Sequence, residues 1–520
     1  MAMMLVLLAG GCTSTIEGSS GPALPFAENR GPAGAVPDGL TDFYGQRLDW
    51  EGCESYSASE FDAEPLSSPD LQCTRLTVPL DYADPTGDTV RIGVLRHPAS
   101  SEQDRIGALV INPGGPGVAG LSTAAALAAE NSELAERFDF VGFDPRGVGS
   151  SEPTISCLTG QERDAERADD DELDPSAAGV AETEREARDY ATKCTQRTEF
   201  GDELLANIGT RDVVRDMDVL RSALGEEKLT YLGYSYGTRI GSTYAETFPG
   251  NVRAMVLDGA LDPTQDAADQ AVAQAKGFQE AFTDFVAWCL DRDDCPFDSA
   301  ETANADYQAM IRPLAENPID LPDGRALSYD DATTGTIQAL YSEQLWEHLQ
   351  TGLNELRQHE GTTLMSLADL YLERDSDGRY STTQDAFVAI HCVDDPRVTD
   401  PNVIRETNER YKEAAPFLDD GSEPTTARDP CAFWPVPNTS QPHLPKVEGL
   451  PPTLVISTTG DPATPYQAGV ALAKALGGRL LTFEANQHTV FLQGNECVDG
   501  AGSAYLVDGT LPQEGTRCTE

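Results

Sequence analysis

The stretch Leu229-Thr230-Tyr231-Leu232-Gly233-Tyr234-Ser235-Tyr236-Gly237 constrains this chain more than any other. Residues 229–232 read as a strand, residues 236–248 as a helix, and Gly-x-Ser-x-Gly joins the two with no loop to spare. A strand that turns so sharply into a helix holds the central serine in a strained corner with its hydroxyl exposed, and the flanking glycines let neighbouring backbone pass. In a chain with 46 glycines the pattern also arises by chance, so its weight depends on what surrounds it.

The surroundings alternate strand and helix. Short Val, Ile and Leu-rich runs at 89–96, 107–112, 138–143, 229–232 and 253–257 read as strands, with helical patterns at 118–129, 212–224 and 236–248 between them. Alternation of this kind predicts an α/β fold with a mainly parallel sheet. After Asp262-Pro263 the strand signals stop. Helical patterns follow at 267–291, 302–312, 344–356 and 402–414, and the sheet resumes with a strand at 453–457, a helix at 467–476 and a last strand at 479–483. The expected division is therefore a core over 41–262, a mostly helical cap over 263–448 inserted before the last two core strands, and the rest of the core over 449–520. Residues 164–189 form an acidic helical excursion between Cys157 and Cys194, for which a solvated face is a sufficient account.

A formal net charge of -51 excludes nucleic-acid recognition of the usual kind, which needs clustered Lys and Arg. Residues 1–12 are a short apolar stretch ending in Gly10-Gly11-Cys12, too short to span a bilayer as a mature helix. It reads as the end of a lipoprotein-type signal in which Cys12 is lipidated, so that the membrane is met only through this anchor and the chain is exported. The basic n-region of such a signal is missing, and a start upstream of Met1 would supply it. Residues 13–40 read as a flexible tether. Apart from Cys12 the cysteines are Cys53, Cys73, Cys157, Cys194, Cys289, Cys295, Cys392, Cys431, Cys497 and Cys518. Sequential pairing is the simplest connectivity, although spacing alone does not establish it. No Cys-x-x-Cys or His-Glu-x-x-His pattern is present, so neither a metal nor a cofactor is expected, and an oxidising compartment is.

A serine in such a corner needs a base, an acid to orient the base, and donors for a developing oxyanion. Of the six histidines only His488 lies beyond the last expected strand, where a loop can return over the serine. The acid should follow the preceding strand, where Thr459-Gly460-Asp461-Pro462 presents Asp461 on a tight turn. Asp258, which ends the strand before the cap, is its rival. Asn112-Pro113-Gly114-Gly115-Pro116-Gly117 follows an early strand and leaves backbone N–H groups unobstructed; those of Gly115 and Tyr236 are the expected oxyanion donors, with Gly114 as the fallback. A phosphate loop would end in Gly-Lys-Ser/Thr, which this one does not.

Taken in order, Asn112 to Gly117, Phe143-Asp144-Pro145-Arg146-Gly147-Val148-Gly149-Ser150-Ser151, Gly233 to Gly237 and Gly460-Asp461-Pro462-Ala463-Thr464-Pro465 resemble the exported bacterial tripeptidyl aminopeptidases, relatives of the proline iminopeptidases within the α/β-hydrolases. The opening Cys73 to Tyr82 and the closing Tyr505 to Pro512 with Cys518 are similar too, so the likeness runs from about Asp42 onward, least clearly in the cap. The resemblance implies a serine peptidase acting on peptide substrates, with Ser235, Asp461 and His488 as a triad and short peptides, foremost tripeptides, released from free N-termini. Gln487 and Thr489 flank the histidine here, where the family usually has a glycine before it and small residues after, which leaves side-chain preference open. An aminopeptidase must hold a free α-ammonium, and the resemblance offers Asp394, in Ile390-His391-Cys392-Val393-Asp394, which is similar to a stretch of the family, as the carboxylate; its other reading is a helix-ending or turn residue before Pro396. A carboxylesterase or lipase would use the same machinery, and an inactive fold serving as a binding protein is the remaining alternative. Oligomeric state is not legible.

Overall fold

A computed structural model of the chain describes residues 31–169 and 174–519; Cys12 and the expected signal segment lie outside these. Nine strands form one sheet: β1 (Gln72–Pro79), β2 (Thr89–His97), β3 (Gly107–Asn112), β4 (Phe138–Phe143), β5 (Leu229–Tyr234), β6 (Val252–Asp258), β7 (Leu454–Thr458), β8 (Arg479–Glu484) and β9 (Arg517–Thr519). Their spatial order is β1-β2-β4-β3-β5-β6-β7-β8-β9. The pairings β1 with β2 and β2 with β4 are antiparallel, and all others are parallel. Every residue of β3, β4 and β5 is buried, as expected of parallel strands covered by helices on both faces.

The order of the parallel strands decides where chemistry can occur. Asn112 pairs with Gly233, Tyr234 with Asp258, Asp258 with Ile456, and Thr458 with Phe483. The carboxyl ends of β3, β5, β6, β7 and β8 are thus in register along one edge of the sheet, and five loops leave side by side from that edge.

Two strands were not expected. β1 carries half-exposed Arg75 and Thr77 among its apolar residues, so no continuous apolar run marks it. β9 is three residues long and is fastened by the Cys497–Cys518 disulfide and by parallel pairing with β8. Consequently three strands, not two, follow the cap.

The helices that matter for the site are α1 (Gly120–Glu130), α2 (Gly160–Arg167), α3 (Ala177–Arg197), α4 (Thr210–Ala223), α5 (Tyr236–Thr247), α6 (Ala267–Leu290), α7 (Tyr329–Leu340), α8 (Thr383–Asp394) and α9 (Tyr466–Leu476). The segment between β6 and β7 holds α6 to α8 and further helices, plus one small hairpin. In it α6 and α7 pack around a separate aromatic core in which Phe282 stacks on Phe417 at 4.6 Å, whereas α8 buries Ala386, Ala389 and Ile390 in the core that also holds the sheet. The acidic excursion becomes α2 and α3, closed by the Cys157–Cys194 disulfide, and it docks on the cap through Asp385 of α8, which accepts the Cys157 N–H at 2.6 Å. The described part of the expected tether is not free. Ala33 N–H donates to Ser222 Oγ at 3.0 Å, Arg221 donates to the Ala33 carbonyl at 3.0 Å, and Leu40 is buried against the core.

All ten cysteines after Cys12 form disulfides between sequence neighbours: Cys53–Cys73, Cys157–Cys194, Cys289–Cys295, Cys392–Cys431 and Cys497–Cys518. Among the described residues no helix is long and apolar enough to cross a membrane.

Candidate active site

Ser235 sits between β5 and α5 at φ 52° and ψ -124°, a region that L-residues avoid. The corner is held from both sides: Ser235 N–H donates to the Asp258 carbonyl at 2.9 Å, and the Thr238 hydroxyl donates to the Ser235 carbonyl at 2.7 Å. Gly237 explains the motif's last position, since a Cβ there would lie 2.7 Å from the Asn112 carbonyl oxygen of the neighbouring strand.

His488 enters from the loop after β8. Its N–H donates to the carbonyl of Tyr341 at 3.0 Å, and the Tyr341 ring meets the imidazole edge-on at 5.6 Å, so the cap helps to hold it. A Cβ on Gly259 would lie only 3.1 Å from His488 Cε1, which places the ring at the strand end that also bonds Ser235. His488 Nδ1 lies 2.9 Å from Asp461 Oδ1 and 3.0 Å from Oδ2. A carboxylate only accepts, so Nδ1 carries the ring proton and Nε2 keeps its lone pair.

Asp461 is fixed in turn by its own loop after β7. Oδ1 accepts from Ala463 N–H at 3.0 Å and Thr464 N–H at 2.8 Å, and Oδ2 accepts from the Thr464 hydroxyl at 2.8 Å. Burial alone would press His488 towards its neutral form; the charge and hydrogen bond of Asp461, with a smaller contribution from Asp258, outweigh this and raise its pKa above the ordinary histidine value. Of the two rival carboxylates the structure therefore brings Asp461 to the imidazole. Asp258 instead accepts the N–H groups of Val490 and Phe491 at 2.7 Å each.

The glycine loop lies against the elbow. Gly114 has φ +99°, and a Cβ there would come within 2.5 Å of the Tyr234 carbonyl oxygen and 3.0 Å of Ser235 Cβ. The Gly114 N–H donates to Asn112 Oδ1 at 3.0 Å, so it is engaged within its own loop. Behind the loop, Asp144 accepts the N–H groups of Gly120 and Leu121 at the start of α1 (2.8 and 3.2 Å) and that of Ser150 (2.7 Å), so the Phe143 to Ser151 motif anchors the helix that follows the loop. Arg146 in the same motif is buried and structural, with both Nε and Nη2 at 2.7 Å from Asp216.

Asp394 departs from its expected place. It ends α8 with 1% of its surface exposed, beneath the elbow, and its carboxylate accepts from Thr210 N–H at 2.9 Å and from the hydroxyls of Thr210 and Tyr236. Arg239 Nε lies 3.8 Å from the same carboxylate, and burial leaves neither oxygen on an open surface. Sequence reasoning missed Glu373. This half-buried carboxylate has Oε2 at 2.8 Å from Thr383 Oγ1, which is itself 3.3 Å from the Gly117 carbonyl of the glycine loop. No Lys or Arg among the described residues pairs with it, and burial raises its pKa.

The parallel sheet, the strained serine at the end of β5 and the acid and histidine after β7 and β8 together define the class: the chain belongs to the α/β-hydrolase family, whose model matches residues 107–495. Its relatives narrow the comparison. It is 47% identical over 491 residues to the serine protease Hip1 of Mycobacterium tuberculosis (strain ATCC 25618 / H37Rv), covering 91% of each chain. To carboxylesterase B of the same organism it is 45% identical over 503 residues, covering 96% of this chain and 94% of that one. To the tripeptidyl aminopeptidase of Streptomyces lividans it is 32% identical over 486 residues, covering 91% and 86%.

Proposed function

We propose that this protein is an exported serine peptidase that releases short peptides, foremost tripeptides, from free N-termini through an acyl-enzyme on Ser235. The observation that carries the reading is the imidazole of His488 seated between both oxygens of Asp461, at the strand end that also fixes Ser235. Nε2 takes the Ser235 proton as Oγ attacks the scissile carbonyl, and Asp461 stabilises the imidazolium that forms. The N–H groups of Gly115 and Tyr236 receive the oxyanion, and such a donor is typically worth ~10²–10³ in kcat. The imidazolium then protonates the leaving amine, and water attacks the acyl-enzyme by the same route in reverse.

Acyl transfer does not distinguish an amine from an alkoxide as leaving group, so the choice of peptide over ester rests on the two peptidase relatives. The relative named carboxylesterase B supports an esterase as the second reading. Glu373, without a cationic partner beside the glycine loop, is the group we assign to the α-ammonium in place of Asp394. Turnover of a tripeptide anilide, compared with its N-acetylated form, tests both points: the free amine should be preferred, and Glu373→Gln should erase the preference mainly through KM. Equal turnover of the two substrates by the wild type would sink the aminopeptidase reading. The five disulfides fit an oxidising compartment, and mass analysis of the mature N-terminus tests lipidation at Cys12.

A further inference from the structure

Asp258 bonds the backbone of Ser235 and the backbone of the loop that follows His488. Its carbonyl accepts the Ser235 N–H at 2.9 Å, and its Oδ2 accepts from Val490 and Phe491 at 2.7 Å each, just after His488. The same loop is held further along by Asp499, which accepts from Leu492 N–H at 2.6 Å and Gly494 N–H at 2.9 Å, and by the Tyr234 hydroxyl, which donates to the Phe491 carbonyl at 2.7 Å. Asp258 is wholly buried, and its second oxygen, Oδ1, has no hydrogen-bond partner among the described residues. If accepting two backbone N–H groups were its whole task, an amide oxygen would serve with a smaller desolvation cost. What the carboxylate adds over an amide is charge.

We propose that Asp258 is a positioning residue of the hydrolytic site: it fastens the loop bearing His488 to the strand end that holds Ser235, and it sets a second buried negative charge beside that of Asp461. The titratable groups around this pair are Asp461 on the loop after β7, Asp499 further along the His488 loop, Tyr341 from the cap and Tyr234 at the end of β5; none of them is a cation. Burial pushes the Asp258 carboxyl up to about 6, against the pull of its two backbone donors. The carboxylate is therefore ionised at neutral pH, where the base must work, and its negative charge favours the imidazolium.

The inference rests on Ser235 and His488 acting as proposed, and its test separates the two failures. The rate at which a fluorophosphonate modifies Ser235 is measured against pH in the wild type, Asp258→Asn, Asp258→Ser and Tyr234→Phe. No modification of the wild type would defeat the reading of the site itself. Given wild-type modification, whichever Asp258 variant folds should react at least ~10-fold more slowly, and its acid-side midpoint should move to lower pH by roughly half a unit or more. Tyr234→Phe removes a bond from the same loop without removing charge, and should leave the midpoint in place. An unmoved midpoint in the Asp258 variants, an equal shift in Tyr234→Phe, or failure of both Asp258 variants to fold would overturn the proposal.

Discussion

Replacing Asp461 by asparagine changes one atom of the site and should cost most of its activity. Oδ1 accepts from two backbone donors, Ala463 and Thr464, which cannot turn away, so the amide oxygen must take that position. The NH₂ group then occupies the Oδ2 position, facing the Thr464 hydroxyl and His488 Nδ1. The hydroxyl can rotate to accept, whereas the imidazole meets the new NH₂ favourably only by accepting from it, which moves its proton from Nδ1 to Nε2, the nitrogen that must receive the serine proton. The amide oxygen, 2.9 Å from Nδ1, is a weaker acceptor than the carboxylate and is already shared by two backbone donors. The wrong tautomer, together with the loss of a carboxylate for the imidazolium, is worth ~10⁴ in kcat, or about 5 kcal/mol. Folding should lose only ~1 kcal/mol, because the loop keeps both backbone bonds. The sign of the pH effect is also fixed. In the wild type His488 stands above its ordinary value because Asp461 outweighs burial, so without that charge the imidazole pKa falls and the acid limb of kcat/KM moves to lower pH even as the plateau drops. Steady-state hydrolysis of a tripeptide anilide from pH 4 to 9, with thermal melting beside it, measures all three quantities. A folded variant that loses less than ~10-fold, or whose acid limb moves upward, would refute the assignment of Asp461 as the orienting acid.

Two further substitutions test the framework. Gly114→Ala puts a methyl group 2.5 Å from the Tyr234 carbonyl oxygen in a backbone conformation alanine avoids, so the loop bearing Gly115 must shift; kcat should fall ~10²-fold with KM little changed, and a loss under ~3-fold would remove this loop from the oxyanion role. Arg146→Ala leaves Asp216 buried without its cation and frees the carbonyls of Leu80 and Asn207, each 2.9 Å from Nη1, so unfolding by heat or urea should show a loss of ~3–5 kcal/mol while the fraction still folded keeps its kcat.

The parts of this molecule legible in its sequence are those where one physical demand dominates. β3, β4 and β5 are buried on both faces, so their residues are mostly apolar, with Asp139 and Thr230 among the exceptions, and their ends are marked by turns. The elbow is legible because a serine in that backbone conformation needs glycine on both sides. Asp258 and Asp461 look alike in sequence, one a carboxylate ending a strand and the other three residues past a strand end; what separates them is whether the oxygens meet an imidazole or two backbone N–H groups, and only the packing of the loop after β8 decides that. Asp394 was misjudged for a related reason. A carboxylate at a helix end reads as exposed, and nothing in the chain signals that Thr210 and Tyr236, far away in sequence, close over it. Glu373 gives no sequence signal because what marks it, burial near the glycine loop with no Lys or Arg paired to it among the described residues, is a property of space and not of spacing.

The bond between Asp394 and Tyr236 bears on how such a protein could be re-engineered. Tyr236 contributes its backbone N–H to the proposed oxyanion site, while its hydroxyl is held by a residue of the cap, on a helix that the Cys392–Cys431 disulfide secures. Cap and core are therefore not interchangeable modules. Grafting a foreign cap between β6 and β7, to give the scaffold a new substrate, would remove the carboxylate that holds the side chain next to the nucleophile. Such a chimera would have to retain α8, or carry compensating changes at Thr210, Tyr236 and Arg239, before its new pocket could be used.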